Sequence, residues 1–386
     1  MATRTMSGLP GLELPGLPAA TRPATIREAG VLLTGAPTWA AHHERWGAVP
    51  QFSLESIAAA AEAAGLRGAG GAGFPFHRKL RAFAGRRVSA VVVNGSEGEP
   101  TSAKDGALLS ASPHLVLDGA LAVARATKAA RIVVMINPDR PDVLTSAARA
   151  AAERDETIEV RSGTAAFVAG EATAVVNELA GRGPRPGDLG LPPRQPGRRP
   201  GRGQVLVSNV ETFARLAVAI RGVGPTTALV SASGAVERPG VYELPRGATT
   251  LADVAAAAGV DLTTRFLITG GWHGSWVPWP GAGVAPLTWD GLAGVGGRWG
   301  AGAMVWLPST VDPYDVLVAL ARTLADESAG QCGPCVAGLP ALADALSRRV
   351  DPAHVLAEVD GRGLCAHPTA TVAAVRSALT AIGEQP

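Results

Sequence analysis

The chain has 386 residues, 47% of them hydrophobic, which is enough for two or three separately cored domains. Its formal net charge of +2 gives no bulk electrostatic support to nucleic-acid binding or to an anionic membrane surface. No apolar run approaches the length of a membrane span, and the N-terminal stretch lacks the apolar core of a signal peptide. We therefore expect a cytoplasmic protein without direct membrane insertion, in which any membrane association comes through partner subunits.

The first 222 residues divide into a lead-in and a patterned region. Residues 1–50 are interrupted by proline and glycine and predict a flexible N-terminal segment. A helical pattern from Leu54 to Ala64 then runs into a glycine-rich loop at 68–73. Beyond the loop, two strand patterns alternate with two helical patterns, at 88–93, 115–126, 131–136 and 142–154. This alternation predicts an α/β domain with a mostly parallel sheet over 51–222.

The glycine-rich loop is the first candidate binding site. Gly68, Gly70, Gly71 and Gly73 allow the backbone to approach a ligand closely and to turn its amides toward an anion. Lys79, a few residues further on, can place its ammonium group on a phosphate. The combination predicts a loop that cradles a phosphate group, with a purely structural turn as the alternative.

The segment NGSEGEP (94–100) follows directly on the strand pattern at 88–93. Asn94, Glu97 and Glu99 therefore lie at the carboxyl end of a parallel strand, where open α/β sheets bind their ligands. These side chains can hydrogen-bond a ribityl chain, a ribose or the edge of a ring. A solvated acidic turn is the competing interpretation.

The second half of the chain changes character. Residues 181–204 carry six arginines and predict either a solvated loop or a basic docking surface for an acidic electron carrier. Two short strand patterns around a Pro-Gly turn, followed by a helix at 251–258, predict a β-grasp domain over 223–292. Apolar residues at helical spacing predict a helical bundle over 293–386.

All three cysteines, Cys332, Cys335 and Cys365, fall in this predicted bundle. An odd number, with two of them in a C-x-x-C pair, favours metal or redox chemistry over a disulfide framework. The pattern is compatible with an iron–sulfur cluster, with a structural zinc site of three cysteines and a histidine, or with three thiols left after the loss of a cluster.

Six motifs occur in the order GLRGAGGAGFP, NGSEGEPTSAKD with SPHLVLDGAL, AAFVAGEATAVVNEL, VSNVET, SGAVERPGVYE and ESAGQCGPCVAG. Together they resemble the NADH- and FMN-binding flavoprotein subunit of respiratory complex I and its relatives in soluble hydrogenases and formate dehydrogenases. The resemblance covers residues 52–384. It implies a flavin-binding α/β domain, a β-grasp (SLBB-like) domain and a C-terminal helical domain that holds a [4Fe–4S] cluster.

The resemblance also implies which residues bind the cofactors. FMN contacts are implied at Gly68, Gly70, Gly71, Gly73, Lys79, Asn94, Glu97, Glu171, Asn209 and Thr212. NADH contacts are implied at Phe74 and Glu99, and cluster ligands at Cys332, Cys335 and Cys365. The implied partners are a ferredoxin or a thioredoxin-like iron–sulfur protein and other subunits of a redox complex.

Several positions of the flavin and nicotinamide motifs depart from the family pattern. The family's arginine, aspartate, tyrosine, second glutamate and first asparagine are replaced by Ala69, Ser96, Phe167, Ala172 and Ser208. Each lost hydrogen bond costs on the order of 1 kcal/mol, and several of the lost residues serve the dinucleotide. FMN binding is therefore better supported than NADH oxidation.

The cluster motif departs at one position, because Ala329 stands where the family has the first cysteine. A [4Fe–4S] cluster uses four thiolates. The three that are present predict a [3Fe–4S] cluster, or a [4Fe–4S] cluster with one non-cysteine ligand, for which Ser328 and His367 are close in sequence.

The function predicted from these features is electron transfer between NAD(P)H or a ferredoxin, FMN and an iron–sulfur cluster. The alternative is a non-catalytic scaffold subunit that has lost NADH oxidation and the cluster.

Overall fold

The computed structural model describes residues 25–28, 30–33, 35–187, 204–224 and 226–383. The first 24 residues of the predicted flexible segment and most of the arginine-rich segment 181–204 therefore lie outside the described residues. Both predictions stay untested there.

In the described ranges the chain forms ten strands and fourteen helices. The strands are β1 (Ile26–Glu28), β2 (Val88–Gly95), β3 (Ile132–Ile136), β4 (Ile158–Ser162), β5 (Gln204–Asn209), β6 (Thr227–Gly234), β7 (Gly240–Pro245), β8 (Phe266–Thr269), β9 (Ser275–Pro278) and β10 (Ala303–Trp306). The helices are α1 (Trp39–Trp46), α2 (Leu54–Ala63), α3 (Phe76–Arg81), α4 (Lys104–Ala111), α5 (Pro113–Thr127), α6 (Pro141–Ala152), α7 (Ala172–Leu179), α8 (Val210–Ala219), α9 (Leu251–Ala258), α10 (Trp289–Gly294), α11 (Pro313–Asp326), α12 (Leu339–Ser347), α13 (Ala353–Val359) and α14 (His367–Ile382).

Strands β2 to β5 form a four-stranded sheet in the order β4-β3-β2-β5, and every neighbouring pair is parallel. Helices α5 and α8 cover one face in the largest apolar cluster, and α7 covers the other. Because both faces are buried, β2 and β3 are continuous valine- and isoleucine-rich runs without polar alternation. The predicted parallel α/β arrangement is confirmed.

The register of this sheet brings two predicted site residues together. Asn94 at the end of β2 pairs with Asn209 at the end of β5. Parallel strands have their carboxyl ends on one edge of a sheet, so both asparagines lie on the edge where the glycine-rich loop also lies.

The remaining strands form a mixed six-stranded sheet in the order β1-β7-β6-β10-β8-β9. Helix α9 packs its apolar face on this sheet. Strand β10 falls within 293–386, for which the sequence predicted only helices, and it pairs parallel to β6 and antiparallel to β8. Four consecutive buried residues carry no helical or strand periodicity, so sequence pattern alone could not place β10.

Two described elements depart from the flexible segment predicted over 1–50. Strand β1 and helix α1 are held by tertiary partners that the local sequence does not reveal. The carboxylate of Glu243 in β7 accepts hydrogen bonds from the amides of Gly30 and Leu32, each at 2.8 Å. His42 in α1 lies 2.8 Å from the buried carboxylate of Asp118 in α5.

Helices α11 to α14 pack into a third apolar cluster, which also contains the buried rings of Trp272 and Trp276. No single helix in the described part of the chain is long and apolar enough to cross a membrane. Taken together, α4 and α5 have that length and composition, with a bend of 95° between them.

Candidate functional site

The glycine-rich loop is closed at its base and tied to helix α8. The amide of Gly68 donates to the carbonyl oxygen of Phe74 at 2.9 Å, which closes the loop across its neck. The amide of Ala69 donates to the hydroxyl oxygen of Thr212 at 3.0 Å, in the first turn of α8. The predicted residues Gly68 and Thr212 therefore lie together, next to Asn209, whose side chain caps the same helix.

The inner part of this loop requires glycine. Gly71 and Gly73 have φ angles of 110° and 61°, which residues other than glycine rarely adopt. A Cβ atom at Gly73 would lie 2.6 Å from the ring of Trp289. Residues 69–72 form a turn, and none of the amides of residues 70–73 makes a hydrogen bond of ordinary length and angle to the described residues. Unpaired amides beside the N-terminus of a helix are a suitable site for a phosphate group.

Lys79, in helix α3, places a buried positive charge beside strand β5. Its ammonium group donates to the carbonyl oxygen of Val207 in β5 at 2.7 Å. Burial lowers the pKa of Lys79 to about 8, against the attraction of the Glu171 carboxylate, which favours the charged form. A largely desolvated ammonium group whose hydrogen-bond acceptor is a neutral carbonyl fits an anionic ligand.

Asn94 and Glu171 lie on the other side of the same strand ends. The Asn94 amide nitrogen donates to the carbonyl oxygen of Gly170 at 2.7 Å. The Glu171 carboxylate caps helix α7 by accepting the amide of Thr173 at 2.8 Å. A Cβ atom at Gly98 would lie 2.5 Å from the carbonyl oxygen of Phe167, so the segment after β2 packs directly on the turn before α7.

Glu97 has a structural role in addition to any ligand contact. Its carboxylate accepts the amides of Asp105 at 2.9 Å and Gly106 at 3.1 Å, in the first turn of α4. Its φ of 38° places a non-glycine residue in the left-handed region. Strain of this kind is often found at functional sites. The predicted FMN contact of Glu97 stays a prediction.

The two predicted nicotinamide residues differ in their surroundings. The ring of Phe74 is half exposed, and the guanidinium of Arg78 lies 5.9 Å from its centroid. The carboxylate of Glu99 accepts the amide of Trp272 at 2.8 Å, which links the four-stranded sheet to the six-stranded one. Both contacts to NADH stay predictions.

Sequence reasoning missed a buried charged cluster at this edge of the sheet. The Lys104 ammonium contacts the carboxylates of Asp105 at 2.7 Å and Glu211 at 3.2 Å, and it donates to the side-chain oxygen of Asn209 at 3.2 Å. Burial raises the pKa of Asp105 to about 7, against the attraction of Lys104. Burial alone would lower the pKa of Lys104, but Asp105, Glu211 and Glu97 raise it above its ordinary value. The sequence signal that could have indicated this cluster was the adjacent pair Lys104 and Asp105 at the start of an apolar helix.

The three cysteines lie together beside these elements. The Sγ atoms of Cys332 and Cys335 are 3.6 Å apart. Burial would raise the pKa of Cys332, but hydrogen bonds from the amides of Leu364 and Cys335 lower it. Leu364 precedes Cys365, so the third thiol borders the pair. Among the described residues no group of three His, Cys, Asp or Glu side chains is arranged to hold a single metal ion.

The assignment of these three thiols as cluster ligands stays a prediction. Burial and the neighbouring Cys332 thiol raise the pKa of Cys335 to about 12, and a bound cation would favour its thiolate form. Ser328 lies close enough to Cys335 to lower the pKa of that thiol, against the effect of burial. The Nε2 atom of His367 lies 2.7 Å from the carbonyl oxygen of Leu324. Of the two non-cysteine candidates, the structure places Ser328 beside a cysteine sulfur.

The glycine-rich loop, Lys79, Asn94 and Glu171 together form what we call the flavin-type site. This site adjoins the cysteines. The Glu171 carboxylate is close enough to Cys365 to raise the pKa of that thiol, together with burial. The amide of Phe167 donates to the carboxylate of Glu327 at 3.1 Å, and the side chain of Gln331 donates to the carbonyl oxygen of Pro186 at 2.8 Å. The turn before α7 therefore contacts both sites.

Comparison with known proteins agrees with this arrangement. Residues 61–218 match the family model of the Nuo51 FMN-binding domain, and residues 315–385 match that of the NADH-ubiquinone oxidoreductase-F iron-sulfur binding region. The F 2 subunit of NADH-quinone oxidoreductase of Rhizobium meliloti (strain 1021) is 28% identical over 327 residues, covering 76% of each chain. The corresponding F subunit of Escherichia coli (strain K12) is 28% identical over 336 residues, covering 76% of this chain and 72% of the relative.

A hydrogenase subunit and a solved structure extend the comparison. The NADP-reducing hydrogenase subunit HndC of Solidesulfovibrio fructosivorans is 28% identical over 333 residues, covering 77% of this chain and 66% of the relative. A chain of the NAD+-reducing [NiFe]-hydrogenase, in the air-oxidized state, superposes with a TM-score of 0.79 at 27% identity. The match covers 94% of this chain and 67% of that chain. With two family models that together span more than half of its length, the chain belongs to the family of NADH-quinone oxidoreductase F subunits, which are flavoproteins, as a divergent member.

Proposed function

We propose that the chain is an electron-transfer flavoprotein that passes electrons between NAD(P)H or a ferredoxin, FMN and an iron–sulfur cluster. The observation that carries the proposal is the adjacency of the two sites. Glu171 interacts electrostatically with Lys79 on the flavin side and with Cys365 on the cysteine side. A flavin held at this edge of the sheet would lie beside the cluster ligands.

In this proposal the chain's own residues hold and orient the flavin. The amides of residues 70–73 and the ammonium of Lys79 bind the phosphate, and the N-terminus of α8 adds a favourable dipole. Asn94 and Glu171 line the strand ends where the rest of the cofactor lies. FMN, when bound, supplies the conversion between two-electron and one-electron transfer.

The cysteines define the electron exit. Three thiolates support a [3Fe–4S] cluster, or a [4Fe–4S] cluster whose fourth iron takes a non-cysteine ligand. Ser328 is our candidate for that ligand, because its side chain is close enough to Cys335 to lower the pKa of that thiol.

We also propose the family's domain assignment for the described elements. The α/β domain spans 51–222, a β-grasp domain of the SLBB type begins at 223, and the C-terminal helices carry the cluster. Since β10 completes the six-stranded sheet, we move the boundary predicted at 292 to the end of that strand, at Trp306.

The physiological donor remains a choice between nucleotide and protein. The half-exposed ring of Phe74 and the carboxylate of Glu99 support a nicotinamide site. Ala69 and Ala172 stand where the family has polar partners, and they argue for weakened NADH binding. A ferredoxin or a thioredoxin-like iron–sulfur protein is then the alternative electron donor or acceptor, alongside other subunits of a redox complex.

The test is the absorption spectrum of protein purified without oxygen. We expect flavin bands at about 375 and about 450 nm above a broad iron–sulfur shoulder. Anaerobic addition of NADH, and separately of NADPH, should bleach the flavin band if either is the donor. Bleaching by a reduced ferredoxin alone would identify a protein donor.

The alternative function, a non-catalytic scaffold subunit, is favoured by one observation, the alanine at the first cysteine position of the cluster motif. A colourless protein that neither binds added FMN nor retains iron would contradict the electron-transfer proposal and support the scaffold.

A further inference from the structure

A shallow cleft, open to solvent, lies where the glycine-rich loop, helix α8 and the six-stranded sheet meet. Its lining includes the rings of Trp289 and Trp299 and the side chains of Arg67, Arg215 and Arg246. No residue predicted to bind FMN, NADH or the cluster is among the lining residues. The cleft is therefore separate from the flavin-type site, although both share the loop.

The three arginines differ in how they are held. Arg215 donates through Nε to the carboxylate of Glu211 at 2.6 Å and through Nη1 to the carbonyl oxygen of Thr227 at 2.9 Å. The guanidinium of Arg67 lies 5.4 Å from the ring centroid of Trp289. The half-buried guanidinium of Arg246 has no hydrogen bond or ion pair with any residue that the structure describes.

Positive charge is in excess in the cleft. The negative groups that face Arg246 are Glu211 and Asp290. Glu211 is already paired, with Arg215 at 2.6 Å and with Lys104 at 3.2 Å. Burial lowers the pKa of Arg246, and the neighbouring guanidiniums of Arg215 and Arg67 lower it further. A bound anion would relieve this repulsion.

We infer that this cleft binds a phosphoryl anion. Guanidinium groups present paired N–H donors that match the oxygens of a phosphate, and a concave wall concentrates their field. Arg246 and the free Nη2 of Arg215 supply the donors, and Arg67 adds a third charge at the rim. The phosphoryl group can belong to free pyrophosphate or to a nucleoside diphosphate.

The test is isothermal titration calorimetry of the full chain in excess FMN, so that a phosphate site at the glycine-rich loop is already filled. Inorganic pyrophosphate, ADP and adenosine are titrated separately. We expect pyrophosphate and ADP to bind and adenosine not to bind. Tighter binding of ADP than of pyrophosphate would identify a nucleotide as the occupant, and equal binding would identify the free anion.

The variant Arg246→Gln should weaken pyrophosphate binding by about tenfold or more, because it removes a charge-assisted pair of hydrogen bonds. Arg265→Gln, an exposed arginine outside the cleft, is the matched control and should leave binding unchanged. Absence of pyrophosphate and ADP binding, binding of adenosine alone, or full retention of binding in Arg246→Gln would overturn the inference. Pyrophosphate binding that occurs only in FMN-free protein and is lost in excess FMN would assign the anion to the glycine-rich loop and overturn the inference as well.

Discussion

Lys79→Met should weaken FMN binding on the order of 100-fold while leaving riboflavin binding unchanged. A hydrogen bond to a charged group contributes about 1.5–3 kcal/mol, and each 1.4 kcal/mol corresponds to about tenfold in affinity. Riboflavin has the same ring and ribityl chain as FMN but lacks the phosphate. The comparison of the two ligands, by fluorescence titration of flavin-free protein, therefore isolates the contact between Lys79 and the phosphate.

The same contact predicts how FMN binding depends on pH. Burial lowers the pKa of free Lys79 from 10.5 to about 8, so its charge is present below pH 8 and lost above it. The phosphate binds the charged form, and its own second pKa of about 6 leaves it dianionic throughout this range. FMN affinity should therefore be constant near pH 7 and decline as the pH rises through 8.

Two controls separate this effect from loss of the fold. Lys128→Met removes an exposed lysine at the end of α5 and should change neither FMN affinity nor its pH dependence. Lys79→Met should give a weak affinity that no longer changes between pH 7 and 9. An unchanged FMN affinity in Lys79→Met, or an equal loss of riboflavin affinity, would show that Lys79 does not bind the phosphate.

The α/β core could be predicted because its signals are local. Strands β2 and β3 are rich in valine and isoleucine, and helix α9 was predicted with its observed ends, Leu251 and Ala258. The glycines of the loop at 68–73 also indicated an unusual backbone conformation from the sequence alone, and Gly71 and Gly73 do adopt positive φ angles. Periodicity and glycine chemistry both act over a few residues, and the sequence displays them directly.

The features that the sequence did not reveal are held by residues far away along the chain. Strand β1 is ordered by pairing with β7, about two hundred residues away, and by the Glu243 carboxylate. Lys104 and Asp105 form a buried network only because α4 meets α8 at the strand ends. Glu97 was predicted as a ligand contact from its position after a strand, yet its carboxylate also caps α4. Such interactions follow from tertiary packing and have no local pattern.

The cysteine site shows how both kinds of information combine. The family pattern identified Ala329 as the position of the missing fourth ligand, and the structure adds that Ser328 lies close to Cys335. An oxygen ligand at one corner would hold iron less firmly than a fourth thiolate, because thiolates are the preferred ligands of these clusters. The cluster of this chain should accordingly lose one iron readily.

In the unmodified chain the iron at the Ser328 position is only partly retained, so Ala329→Cys should raise the iron content to about four atoms per chain and change the EPR signal to that of a four-thiolate cluster. Ala337→Cys adds an exposed thiol in the neighbouring turn and is the matched control, for which we expect no change in iron. Ser328→Ala should lower the iron content of the unmodified chain. It should have no effect in the Ala329→Cys background, because there the new thiolate occupies the fourth ligand position of the cluster. Such dependence of one substitution on the other is expected only when two residues serve the same ligand position. Unchanged iron and an unchanged EPR signal in Ala329→Cys would mean that position 329 does not limit the cluster.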